Sequence, residues 1–173
     1  MNIVKRKINV KTSVNNELER HPVPVLGIDY KVKIVYKNIK ITELDVENKT
    51  IKISLPNKYK KVANKEILDL AIEKMYEQIA NVEIERAMEK TRIMIGFAPE
   101  EYEIKKIDTL GICKDKKITI NPDVVKYGRK VIDYVVLHQY CHLKYKTHSK
   151  GFYSMIEKYQ TDYKKCEEIL LNI

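Results

Sequence analysis

Three of the chain's four histidines fall within eleven residues, in the stretch HQYCHLKYKTH from His138 to His148. His138 and His142 are four apart, so on a helix they differ by only about 40° around the axis and share a face. That is how a helix offers two imidazoles to one metal ion. Neutral imidazole suits Zn²⁺, and three protein ligands leave a fourth position open, as in catalytic sites. The other reading is two core or surface histidines four apart by chance. Three histidines crowded on and just after one apolar helix favour the metal. In the commonest motif with this spacing a glutamate follows the first histidine and moves protons. Gln139 stands there instead. His21, the fourth histidine, lies in a polar N-terminal stretch and is assigned no chemistry.

The elements that must position these groups are legible nearby. VIDYVVLHQYCHLKY reads as a helix within 128–146, with Val131, Val135 and Leu143 turned towards a core. Six more residues on that helix would carry His148 to nearly the opposite side. The chain must therefore turn between Tyr145 and Ser149 for the three histidines to meet. Thr147 or Ser149 can cap a following helix whose apolar stripe is Phe152, Ile156 and Tyr159.

Further upstream, YKVKIVY sets Val32, Ile34 and Tyr36 opposite Lys31, Lys33 and Val35, and IKISLP alternates likewise up to Pro56. With Asn48 as a turn residue between them, residues 27–56 are expected to form a small antiparallel sheet. Asn64 opens a helix carrying Ile67, Leu70, Ala71, Met75, Ile79 and Ala80 on one face, running to Gly96 with a break near Asn81. Residues 102–107 and 117–121 read as short strands flanking TLGIC, and Asn121-Pro122-Asp123 opens the next helix. The predicted class is α+β, a small antiparallel sheet packed on helices. A single domain over 1–173 is expected, with a strand-rich part at 1–60 and a helical metal-binding core at 62–173.

Composition narrows the partners. Thirty-three Lys and Arg against 24 Asp and Glu leave a net charge of +9, which favours acidic partners such as nucleic acid or anionic substrates. The basic residues are scattered, with VKRK, NKYKK and KTHSK the densest stretches, so a solvated lysine-rich surface explains them as well. Three cysteines, Cys113, Cys141 and Cys166, show no paired spacing and point to a reduced, cytoplasmic protein. MNIVKRKINV lacks the apolar core of a signal peptide, and VIDYVVL is too short to span a bilayer. No membrane association is expected.

VIDYVVLHQYCHLKYKTHSKGFYSMIEKY resembles the core of the YgjP-like zinc metallopeptidases, relatives of the WLM and SprT-like zincins. Their pattern is a hydrophobic helix with H-E-x-x-H, five intervening residues, a third histidine, and an aromatic residue four further on. His138, His142, His148 and Phe152 match it. TLGICKDKKITIN is similar to the family's Trp-Gly-Ser-Cys turn and the strand after it, ending in Asn. Gly111, Cys113 and Asn121 match; Leu110 and Ile112 depart. The resemblance implies a zincin-like α+β fold, zinc held by His138, His142 and His148, and a peptide or protein substrate.

The family's glutamate is the one element that does not carry over. In a zincin it takes a proton from the attacking water and delivers it to the leaving amine. Gln139 keeps the shape and can accept a hydrogen bond through its amide oxygen, but it is not basic near neutral pH. The ligand set is complete, so metal binding is expected to survive while hydrolysis is lost. A natural pseudo-enzyme and an engineered inactive form both fit, and the intact remainder of the motif favours the second. Two other functions remain open: a metal-dependent hydrolase of nucleotides or phosphoanhydrides, and a silent nucleic-acid-binding module with structural zinc. Around the site, Tyr140, Tyr145 and Tyr153 are candidates to polarise a carbonyl, and Asp133 or Glu157 to orient a ligand histidine. Cys141 reads as a core residue, and Cys113 as a weak candidate for redox chemistry or for supporting a metal ligand, with plain packing favoured.

Overall fold

Alternation in the N-terminal third produces a four-stranded sheet. The computed structural model describes residues 22–61 and 64–171; His21 and VKRK lie outside them. Strands β1 (Val23–Val25), β2 (Ile28–Lys37), β3 (Glu43–Glu47) and β4 (Thr50–Pro56) lie in the order β1-β2-β4-β3. β1–β2 and β3–β4 pair antiparallel, but β2 and β4 run parallel, with Val32 opposite Ile51 and Ile34 opposite Ile53. The sheet is thus mixed, a correction to the antiparallel one expected over 27–56. The cause is local. Asn48 and Lys49 both take positive φ, 48° and 59°, forming the two-residue turn that suits strand twist. β4 therefore hairpins onto the short β3, and its other edge is left to β2. The alternation itself sorts the faces: Val32, Ile51 and Ile53 are buried, while Lys31, Lys33 and Lys52 are exposed.

Helix α1 (Asn64–Ile95) runs unbroken through Asn81, which faces solvent and interrupts nothing. Its core stripe is Leu68, Met75, Tyr76, Ala80, Ile84, Ala87 and Met88. Leu70, expected on that face, is 53% exposed. Two residues along from Leu68, it is turned about 200° around the axis. Tyr76 ties the helix to the first sheet by donating its hydroxyl to the Pro24 carbonyl at 2.9 Å.

A second sheet follows, made of β5 (Glu101–Ile104), β6 (Gly111–Lys114) and β7 (Lys117–Ile120). β7 is central, parallel to β5 and antiparallel to β6. TLGIC, expected to be a connection, thus supplies a strand of its own. Asp115 and Lys116, at φ 49° and 62°, close its hairpin with β7. Asn121-Pro122-Asp123 opens a 3-10 turn over Pro122–Lys126 rather than an α-helix, with Asn121 as its cap.

Helices α2 (Arg129–His142), α3 (Lys150–Tyr159) and α4 (Tyr163–Leu171) complete the described chain. α2 is the centre of the packing. It touches α1, β6, β7, α3 and α4, so Val131, Ile132, Val135, Val136, Leu137, Tyr140 and Cys141 are all buried. Its N-terminal half is fixed by a charged clamp. Glu83, only 5% exposed, accepts from Arg129 at 2.6 Å and Arg86 at 2.9 Å. Asp133 accepts from Arg86 at 2.7 Å and Lys90 at 2.6 Å. Among the described residues no helix is long and apolar enough to cross a membrane.

Candidate metal centre

α2 stops at His142, four residues short of the expected end at 146. The amides of Leu143, Lys144 and Tyr145 bond back to the carbonyls of Tyr140 and Cys141, closing the last turn. The chain reverses through 143–149. Ser149 then caps α3, its hydroxyl accepting from the Phe152 amide at 3.4 Å; of the two cap candidates, Thr147 is not the one used. Gly151 makes the reversal tight. A Cβ there would sit 2.9 Å from the Tyr145 ring, closer than side chains pack. The early stop returns His148 to the face of α2 that carries His138 and His142.

The three Nε2 atoms converge. They are 3.2 Å apart for His138–His142, 3.2 Å for His142–His148 and 3.0 Å for His138–His148. Phe152, fully buried, packs beneath all three rings with centroids 4.7–4.9 Å away. The outer nitrogens fix the tautomers. His142 Nδ1–H donates to the Tyr145 carbonyl at 3.0 Å, and a carbonyl can only accept. Tyr134 donates its hydroxyl to Glu167 Oε1 at 2.7 Å, leaving its oxygen to accept from His138 Nδ1–H at 3.1 Å. His138 and His142 therefore both aim an Nε2 lone pair at the point faced by His148.

Lone pairs gathered this closely repel unless a cation lies among them. The separations suit one ion held by bonds of about 2.0–2.1 Å. The set fits a metal. Burial, and then the neighbouring His142 and His148, push the His138 pKa down to about 4, so this imidazole stays neutral and free to coordinate. Burial and the adjacent Glu167 raise the Tyr134 hydroxyl far above its usual range, which keeps it a donor.

Gln139 is 6% exposed and lies against Gly111 of β6. A Cβ on Gly111 would stand 3.1–3.2 Å from the Gln139 Cγ, Cδ and Nε2 atoms. A side chain on residue 111 would require Gln139 to give by a few tenths of an ångström. Asn121 holds the loop leading into this strand, donating its amide to the carbonyls of Ile107 and Thr109 while accepting from the Asp123 amide. Gly111 and Asn121, matched from opposite ends of one stretch of sequence, thus serve one purpose: they seat residue 139.

Beside His138 and Gln139 opens a cavity of about 400 Å³, lined also by Tyr134, Tyr153, Glu167 and Leu170. A larger cavity of about 660 Å³ between α1 and β5 includes none of the three histidines.

The family model for the YgjP-like metallopeptidase domain matches residues 2–172. The chain belongs to that family. The histidine triad is a group that could hold a metal ion in a domain whose family is of metallopeptidase type. No curated protein matches the chain. The crystal structure of the metallopeptidase zymogen abylysin from Pyrococcus abyssi is similar at 22% identity and a TM-score of 0.46, over 51% of this chain and 92% of that one.

The other expected site residues disperse. Asp133 faces α1 through its ion pairs with Arg86 and Lys90, and Glu157 is exposed. Neither orients a ligand. That task falls to Tyr134, with Glu167 behind it, and to the Tyr145 carbonyl. Tyr134 could have been found at four residues before His138, on the same helical face; Glu167 gave no local signal. Tyr140 is buried and donates to the Met88 carbonyl at 3.2 Å, so it is a packing residue. Tyr153 remains at the site, its ring 6.1 Å from that of His148. Cys141 is fully buried, its thiol pushed up to about 12. Burial also raises the Cys113 thiol, the opposite of what a reactive cysteine needs.

Proposed function

We propose that this chain is a zinc-dependent peptidase scaffold of the zincin type in which Gln139 leaves the site able to bind but not to hydrolyse. The observation that carries this reading is the convergence of three Nε2 atoms at 3.0–3.2 Å with Gln139 lining the cavity beside them. His138, His142 and His148 would hold the ion. When bound, zinc supplies a Lewis acid that polarises a carbonyl and acidifies nearby water. Gln139 offers that water a hydrogen-bond acceptor through its amide oxygen, yet has no basic site to receive the proton. β6 lies at the edge of its sheet, with Gly111 against Gln139. An extended peptide paired along that edge would pass the histidines. A phosphoanhydride substrate is less well served, since neither lysine nor arginine lines the cavity beside the triad.

The test is Gln139→Glu. A positioned base contributes about 10²–10⁴ in rate, so peptide hydrolysis should rise on the order of 10²-fold or more, while zinc content and zinc affinity stay the same. The gain should vanish with chelator and return with zinc. Equal activity in both forms at equal zinc content would remove the general-base role from position 139. Nucleotide hydrolysis in place of peptide hydrolysis would move the reading to the phosphoanhydride class.

A further inference from the structure

The cavity beside His138 has a composition that neither a plain apolar pocket nor a phosphate site would have. Leu110, Val135 and Leu170 provide aliphatic wall, and Tyr153 provides a ring. Among all the lining residues Glu167 bears the single formal charge. One of its oxygens is used by the Tyr134 hydroxyl at 2.7 Å; the other has no hydrogen-bond partner among the described residues. At about 400 Å³ the space holds more than a leucine or valine side chain. Apolar walls weaken the screening that water would give Glu167, so a cation brought there gains more than it would at an open surface.

From this geometry we infer that the cavity is a specificity pocket for a lysine or arginine side chain of a peptide substrate. The aliphatic stem lies on Leu110, Val135 and Leu170, and the charged head reaches the free oxygen of Glu167. Long cationic side chains are built for such a divided environment. His138 and Gln139 form part of the same wall, so the residue selected flanks the bond presented to the triad. Glu167 thus serves twice. One oxygen steadies Tyr134 and, through it, His138; the other reads the substrate.

This inference rests on the peptide-substrate reading above, and a binding measurement separates the two. On that reading the chain with Gln139 does not turn substrate over, so uncleaved peptides can be titrated onto the zinc-loaded protein. Capped hexapeptides with an alanine backbone would carry lysine, arginine, norleucine or glutamate at one position, moved along the sequence. The expected result is a preference on the order of 10-fold or more for lysine or arginine over norleucine in one register, with glutamate weakest. Glu167→Gln keeps an acceptor for Tyr134 but removes the charge, and should bring the ratio of lysine or arginine binding to norleucine binding within about 2-fold of one, at whatever absolute affinity the variant shows. Glu167→Lys, if zinc loading survives, should favour glutamate. Peptides that bind with no basic preference, or a preference unaffected by Glu167→Gln, would overturn the pocket assignment and leave the peptidase reading standing. Failure of every peptide to bind zinc-loaded protein would overturn both.

Discussion

Tyr134 shows how much of a candidate metal site lies outside its histidines. Its oxygen takes the Nδ1–H of His138 at 3.1 Å while its proton goes to Glu167 at 2.7 Å. This pins His138 in the tautomer that presents Nε2. Outer partners of this kind typically account for about 10–100-fold in metal affinity. Tyr134→Phe should therefore weaken zinc binding by about that factor in competition with a chromogenic chelator, while Tyr153→Phe should not. Unchanged affinity in Tyr134→Phe would reduce the chain Glu167–Tyr134–His138 to packing. Gly111 acts on residue 139 in a different way. A methyl group there meets three atoms of the Gln139 side chain at 3.1–3.2 Å, so that side chain must move by a few tenths of an ångström. In a Gln139→Glu background, Gly111→Ala should lower peptide hydrolysis at least about 10-fold with zinc content intact, since small misplacement of a catalytic group is costly. Loss of zinc along with activity would mean that the strand supports the histidines rather than residue 139.

At the scale of elements, the site depends on where α2 ends. Had it continued through His148, that histidine would have pointed away from the pair. The reversal through 143–149 is held by backbone bonds to Tyr140 and Cys141, by the Ser149 cap, and by the fit of the Tyr145 ring against Gly151. The same tyrosine supplies the carbonyl that orients His142. Gly151→Ala drives a methyl group to 2.9 Å from that ring, so the ring or the turn must shift. The expected cost is about 1–3 kcal/mol of stability, with a fall in zinc affinity larger than Ser149→Ala produces. Thermal melts and chelator competition on the two variants measure both effects. Wild-type zinc affinity in Gly151→Ala would show that the reversal absorbs the methyl without disturbing His142.

Across the whole molecule, the charged clamp between α1 and α2 holds the helix that carries the site. Hydrogen bonds from Arg129 hold the Glu83 carboxyl below the usual range; burial opposes this and Arg86 adds to it. A carboxylate whose folded pKa is depressed contributes stability above its unfolded value, about 4.3, and loses it as pH falls through the folded value. Glu83→Gln should therefore destabilise the protein by about 1–3 kcal/mol near pH 7, discounted because the Arg129 side chain is 63% exposed. The gap from wild type should close as pH drops below about 4. Urea titrations at pH 7 and at pH 3.5 check the sign. A gap that is constant with pH would make the contribution one of shape rather than charge.

The sequence by itself determined the histidine spacing, a cap at Thr147 or Ser149 and the Phe152–Ile156 stripe, because each is a short-range pattern fixed by helical geometry. It also marked Gly111 and Asn121, through a resemblance, without saying what they do. The parallel pairing of β2 with β4 was not legible, since period-2 alternation fixes which face is buried but not which edge is shared. TLGIC looked like a connection because its four-residue strand is too short to show a period. On α1, Ile67 and Leu68 both start plausible stripes, and only packing chooses the one that leaves Leu70 exposed. α4 is not legible for the same reason, although Tyr163 and Cys166 sit at helical spacing and are buried. With it went Glu167, 29 positions beyond His138 and joined to it only through Tyr134. Local order was written in local residues. The partners that orient the histidines and shape the cavity beside them come from distant segments, and only the packing of α4 and β6 against α2 brings them there.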